Sequence, residues 1–215
     1  MFKYRFLIII GSLFIISGCG SSKKSVNPTS RIIIVDDGSP AVANTQHPSG
    51  SLPVSGNEKS KKYDPIQTKY ARYLNVTPDQ ITNLKLYRFI DKWMSTPYLW
   101  GGTTENGIDC SAFVQKLIDD VYQVNMPRTS YEQFYANWIE LFGSKDYLSE
   151  GDVIFFKTIP GTLVSHIGFY LKNGMFVNSS SSKGVSIASL DLPYWKKKYV
   201  ASGRIKSSVL ARYKR

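Results

Sequence analysis

Apolar residues in this chain change their spacing once, and that change restricts the fold more than any other feature. Up to about residue 138 they recur every three or four positions. Thr77-Pro78-Asp79-Gln80 has the form of a helix opening, with a capping hydroxyl, proline in the first turn and Gln at the capping-box position. Leu84, Tyr87, Ile90 and Met94 continue that helix at helical spacing, and Pro97 ends it. A second helix is expected from about Cys110, with Phe113, Val114, Leu117, Ile118 and Val121 as its stripe. A third is expected after Thr129, with Glu132 closing its cap and Tyr131, Phe134, Tyr135 and Trp138 as its buried side. Beyond that the period falls to two. Asp152–Phe156, Val164–Leu171, Met175–Asn178 and Gly184–Ala188 read as short strands. Helices first and strands second predict an α+β domain.

The N-terminus follows a different pattern. Lys3 and Arg5 precede an apolar run from Phe6 to Ile16, too short to span a bilayer, which takes about 20 residues. Charge, apolar run and small residues in that order read as a secretory signal. Ile16-Ser17-Gly18-Cys19 resembles a lipobox, where cleavage precedes a cysteine that then carries lipid. The expected organisation is a lipoprotein signal peptide at 1–18 and a flexible Ser-, Pro- and Gly-rich tether at 19–62. A folded domain at 63–206 and a basic tail at 207–215 follow. Gly20 after the cysteine implies the outer membrane, facing the periplasm, if the organism has two membranes. The island Arg31-Ile-Ile-Ile-Val35 within the tether has no assigned place.

The formal charge is +11, and eight of the Lys and Arg lie between Lys196 and Arg215 without an acid among them. Nucleic acid is the usual partner of such a patch, but an export signal and the lack of any nucleic-acid motif argue against it. Anionic wall polymer or lipid head groups suit an exported chain better, and a solvated tail fits equally.

The chain has two cysteines and two histidines. If Cys19 carries lipid, Cys110 is a lone thiol in an exported chain, either reactive or a small buried hydrophobe. It lies in Asp109-Cys110-Ser111, where a glycine-containing loop enters a helix whose N-terminus favours a thiolate. His47 falls in the tether, which leaves His166 as the histidine able to serve Cys110. Ile167, Phe169 and Leu171 alternate on one strand face, expected to be the core, and His166 and Tyr170 occupy the other. Asn178 is the candidate to orient the imidazole. A two-residue Asn173-Gly174 turn would place Asn178 on the wrong side. A three-residue loop with left-handed Gly174 pairs Leu171 with Met175 and sets Asn178 opposite Gly168, on the His166 side. The second register buries Val177 beside Phe169 and is preferred. Gly102–Gly107 has phosphate-loop spacing but lacks the following Lys-Ser/Thr. No His/Cys cluster has metal-ligand spacing, so neither metal nor cofactor is expected.

The segments Pro97-Tyr98-Leu-Trp-Gly-Gly102, Gly107-Ile-Asp-Cys-Ser111, Pro127-Arg128-Thr-Ser130, Gly151-Asp152-Val, Ser165-His166-Ile-Gly168-Phe-Tyr170 and Phe176-Val-Asn178 together resemble the NlpC/P60 family. Pro193-Tyr194-Trp195-Lys-Lys-Lys198-Tyr199 resembles its NlpC/Spr-like lipoprotein branch. The likeness covers about Thr77 to Lys206. It implies a circularly permuted papain-like fold, with the cysteine helix packed on an antiparallel sheet that carries the histidine. It implies a cysteine peptidase acting on peptidoglycan stem peptides, with Cys110 as nucleophile, His166 as base then acid, and Asn178 as orienting group. The family more often has histidine at that third position. Tyr98 and the Cys110 backbone N–H would stabilise the oxyanion, and Asp109 and Ser111 would contact the peptide. A non-catalytic wall-binding lipoprotein on the same fold is the rival reading, and thiol chemistry on a lipid or another amide is a third.

Overall fold

The computed structural model describes residues 62–211, so the signal peptide, Cys19, most of the tether with His47 and the 31–35 island, and residues 212–215 lie outside the described residues. Helix α1, Pro65–Leu74, was not anticipated; it opens on an Asp64/Gln67 capping box with Pro65 in its first turn. The expected helix from Thr77 to Met94 is instead two elements. Thr77-Pro78-Asp79-Gln80 does form a capping box, but it closes only a 3-10 turn over Pro78–Gln80. Helix α2, Leu84–Trp93, starts afresh with Asn83 accepting from the Leu86 N–H at 3.1 Å. The break has a cause. The Gln67 side-chain amide donates to the Pro78 and Ile81 carbonyls at 3.2 and 2.9 Å, and Ile81 is buried in non-helical backbone.

Helix α3, Cys110–Tyr122, stands where its stripe predicts, with Phe113, Val114, Leu117 and Ile118 fully buried. Helix α4, Ser130–Phe134, has the Thr129/Glu132 capping box but only five residues. Its expected buried side is corrected: Tyr131 and Tyr135 are exposed and Gln133 is buried. So short a helix cannot present a long apolar stripe. Gln133 turns inward because its amide donates to the Ser111 and Pro127 carbonyls at 3.1 and 2.8 Å.

A small hairpin, β1 (Thr103–Thr104) with β2 (Gly107–Ile108), precedes α3. The main sheet comprises β3 (Ile139–Phe142), β4 (Val153–Phe156), β5 (His166–Tyr170), β6 (Met175–Ser180), β7 (Gly184–Ser189) and β8 (Tyr199–Ile205). Its order is β3-β8-β4-β5-β6-β7, every pairing antiparallel. Strands β3 and β8 and the helix α5, Pro193–Lys198, were not anticipated. Residues 207–210, placed in the tail on sequence, form α6 (Ser207–Leu210), and Val209 and Leu210 pack on the main core.

One sheet face carries that core: Val153, Phe155, Ile167, Phe169 and Val177 meet α1, α2 and α3. The other carries a smaller cluster of Ile154, Phe156, Tyr170, Phe176, Leu190 and Trp195, roofed by α5. The β5–β6 turn has the three-residue form. Leu171 N–H donates to the Met175 carbonyl at 2.9 Å, Asn173 and Gly174 are left-handed, and Phe169 pairs with Val177.

Candidate active site

Cys110 is the first residue of α3, and the chain ahead of it is pinned from several sides. Gly184 in β7 touches the Thr96 carbonyl so closely that a Cβ would lie 2.2 Å from it, while Ser95 N–H donates to the Val185 carbonyl and Val185 N–H to the Thr96 carbonyl, both at 2.9 Å. Tyr98 bridges to Ile108, and the Ser179 hydroxyl of β6 donates to the Ile108 carbonyl at 2.7 Å. The loop bearing Tyr98, the helix headed by Cys110 and the strand bearing Asn178 are therefore one hydrogen-bonded unit.

Asp109 caps α3. Its Oδ1 accepts from the Ala112 N–H at 2.8 Å and the Ser111 hydroxyl at 3.0 Å, and its Oδ2 accepts from the Gly101 N–H at 3.1 Å. Arg128 grips both oxygens, at 3.0 and 2.6 Å, and also donates to Ser111 Oγ at 3.0 Å. Burial raises the Asp109 pKa, but the Arg128 and Ala112 hydrogen bonds outweigh it and hold the carboxyl below its usual range. Asp109 and Ser111, named on sequence as substrate contacts, are 7% and 6% exposed and direct these bonds inward. Arg128 was quoted only as part of a motif; its partner is the capping carboxylate.

The Cys110 thiol is buried at the main core, a free cysteine, and the Ile167 backbone N–H is directed to it so as to favour its thiolate. That N–H is available because the β5–β6 ladder pairs only Phe169 with Val177 and Tyr170 with Phe176. The helix N-terminus was expected to favour the thiolate. Burial dominates instead and pushes the thiol up to about 11, against the backbone N–H groups of Ile167, Ser111 and Cys110.

His166 opens β5 on the face opposite the main core, as its alternation predicts, yet it is 7% exposed, because the small cluster covers that face. Its Nε2 lies 3.0 Å from Asn178 Oδ1, so the hairpin register does bring the two together. With the amide oxygen accepting, Nε2 carries the proton and Nδ1 is the basic nitrogen. Burial draws the imidazole down to about 4, partly offset by the Asn178 hydrogen bond. Asn178 is 1% exposed, and its amide nitrogen donates to the Ser186 carbonyl at 3.4 Å, which sets the oxygen toward the ring. Tyr98 is half-buried; burial, then the proximity of Cys110 and Asp109, raise its phenol, which keeps it a donor.

Asp152, another motif residue, lies away from this group, holding Arg204 of β8 at 2.8 and 2.7 Å. Among the described residues, no group of three or more His, Cys, Asp or Glu is placed to hold a metal.

The comparisons concern the segment that carries Cys110, His166 and Asn178. The chain is 38% identical over 115 residues to the probable endopeptidase NlpC homolog of Haemophilus influenzae, covering 54% of this chain and 58% of that protein. It is also 38% identical over 115 residues to a protein of Escherichia coli named murein DD-endopeptidase MepS/murein LD-carboxypeptidase, with the same coverage of 54% and 58%. The chain thus spans less than two thirds of the length of either relative. The crystal structure of an NlpC/P60 family protein from Bacillus cereus matches with a TM-score of 0.50 at 27% identity, over 57% of this chain and 39% of that one. The model of the NlpC/P60 family matches residues 95–204, from the loop ahead of Tyr98 through β8, and the α+β architecture is the one those relatives share. By sequence and by fold, this chain belongs to the NlpC/P60 family.

Proposed function

We propose that the chain is a cysteine peptidase that hydrolyses amide bonds in peptidoglycan stem peptides or their cross-links. The observation that carries this reading is the buried His166–Asn178 hydrogen bond at 3.0 Å, on the strand whose Ile167 N–H favours the Cys110 thiolate. Relatives named as endopeptidases and a murein endopeptidase support the choice of substrate.

At neutral pH both partners are uncharged, so the proton moves as the bond forms. His166 Nδ1 takes the thiol proton while sulfur attacks the carbonyl carbon. The Cys110 N–H and the Tyr98 hydroxyl stabilise the resulting oxyanion, a contribution worth about 3 kcal/mol per well-placed donor. The imidazolium gives its proton to the leaving amine, and a thioester remains. Water, deprotonated by His166, then releases the carboxylate and restores the thiol. Asn178 fixes the ring and its tautomer throughout.

Lipid attachment at Cys19 would hold this domain at an envelope membrane, within reach of the wall. Purified muropeptides incubated with the chain yield shorter peptides under this reading, and Cys110→Ala yields none. Sacculi bound without release of fragments would instead support the wall-binding alternative, which the burial of the thiol favours. For the anchor, the expected outcome is membrane-fraction protein that becomes soluble on Cys19→Ala.

A further inference from the structure

Of the two aromatic rings described against the candidate base, the nearer comes from α5, an element with no part in the reaction above. The Trp195 ring stacks on the His166 imidazole, with centroids 5.3 Å apart and planes inclined by 25°. Trp195 is itself held on several sides. Phe156 lies at 4.8 Å, Phe176 meets it edge-on at 5.2 Å and Tyr194 edge-on at 4.9 Å, and it is 8% exposed. Phe176 reaches this position by crossing Gly168, where a Cβ would sit 2.5 Å from its ring. Helix α5 is started by Pro193 and tied by a Lys196–Asp191 bridge at 3.1 Å. The stacked indole is therefore a fixed wall.

That wall supplies what Asn178 lacks. A neutral amide orients the ring but adds no charge to stabilise the imidazolium formed when the thiol yields its proton. An aromatic face within about 6 Å attracts a cation, and most strongly where water is excluded. On the elements packed against the ring the charged and titratable groups are Lys157 after β4, Tyr194 and Lys196–Lys198 on α5 and Tyr199 at the start of β8, and Cys110 of α3 meets the adjacent residue, Ile167. Among the described residues none of these makes an ion pair with the imidazole; its one side-chain hydrogen bond is to Asn178.

We infer that Trp195 is a positioning residue for His166, holding the ring against Asn178 and stabilising its protonated form through the indole face. The inference rests on His166 being the proton carrier of the proposed reaction. Its test is chosen to be independent of any substrate. In the full-length chain carrying Cys110→Ala, the His166 ring is titrated by NMR, with His47 as the internal control. Trp195→Leu keeps an apolar cover but removes the π face, and Trp195→Phe keeps both. The expected result is a His166 pKa lower by about half a unit in the Leu variant and nearly unchanged in the Phe variant. Uniform 5-fluorotryptophan, which weakens the ring's attraction for cations without changing the packing, lowers it in the same direction even if the Leu variant does not fold. With Cys110 restored and muropeptides as substrate, kcat of Trp195→Leu falls roughly three- to thirty-fold with KM little changed, and Phe restores most of it. An unchanged or raised His166 pKa in the Leu and fluorinated proteins, or equal losses in Leu and Phe, would overturn the inference. A correct titration without muropeptide cleavage would leave the stacking role standing and remove the peptidase reading.

Discussion

The two faces of the sheet do different work. The face toward α1, α2 and α3 buries most of the apolar residues, and Cys110 is rooted there. The face toward α5 buries six residues, and the His166 ring lies against two of them, Phe156 and Trp195. Cys110 and His166, the proposed nucleophile and base, thus lie against separate cores, and the chain links them through Ile167, which follows His166 in β5 and whose N–H is directed to the thiol. The large core fixes the helix that carries sulfur. The small one sets the solvation and orientation of the imidazole. Stability should therefore depend mainly on the first, and the rate per folded molecule on the second.

The largest expected effect breaks that comparison at its stable end. Phe113 is fully buried in α3, and Phe113→Ala should cost about 3–5 kcal/mol, read from urea unfolding. Turnover per folded molecule should change little. A large fall in kcat among molecules that remain folded would show the two faces to be coupled.

At the other end, Asn178→Ala leaves Nε2 of a buried ring without its partner. A fall in kcat of about 10²-fold is expected in muropeptide assays, with a stability loss of about 1–3 kcal/mol from the unsatisfied group. Asn178→His, the commoner family form, should recover activity. Equal kcat in wild type and Asn178→Ala would remove Asn178 from the site.

A smaller effect sharpens the comparison through pH. An unfolded histidine titrates near 6.5, whereas burial draws folded His166 down to about 4. Between those values the unfolded chain binds the extra proton. The contribution of neutral His166 is therefore complete above about 6.5 and is lost progressively as pH falls toward 4, by roughly 1–3 kcal/mol. His166→Gln should flatten the urea midpoint over that window. Asp109 acts lower still: its depressed carboxyl contributes above the unfolded value of about 3.9 and loses that contribution only below it.

The smallest effect is kinetic. A thiol pushed up to about 11 should react slowly with iodoacetamide at pH 7 and about tenfold faster per pH unit above it. Fast alkylation that is level from pH 5 to 9 would instead indicate a thiolate–imidazolium pair in the resting protein.

These contrasts follow what the sequence could and could not reveal. The stripe of α3 was legible because its five residues meet one core at helical spacing, four of them fully buried and Val121 packed against it. The β5–β6 register was legible because only one alignment buries Val177 with Phe169. The small cluster was not, because two of its six residues, Leu190 and Trp195, are brought in by a turn and a six-residue helix that local spacing does not announce. Strand β3 was missed because Leu141 is exposed and the Ile139–Phe142 segment shows no alternation. Gln133 was missed because a buried amide is explained by the carbonyls it meets, Ser111 and Pro127, and those lie outside its own helix. The raised thiol pKa follows from burial, which a helix-start position does not encode.

The central claim is that Cys110 attacks a stem-peptide carbonyl with His166 as its proton acceptor. Acid-quenching the chain within the first turnovers on purified muropeptides, then measuring the mass of the peptide containing Cys110, tests it directly. The expected result is a thioester adduct on Cys110 that is absent in His166→Ala and reduced in Asn178→Ala. Muropeptide cleavage without any adduct on Cys110, or an adduct formed equally well in His166→Ala, would contradict it.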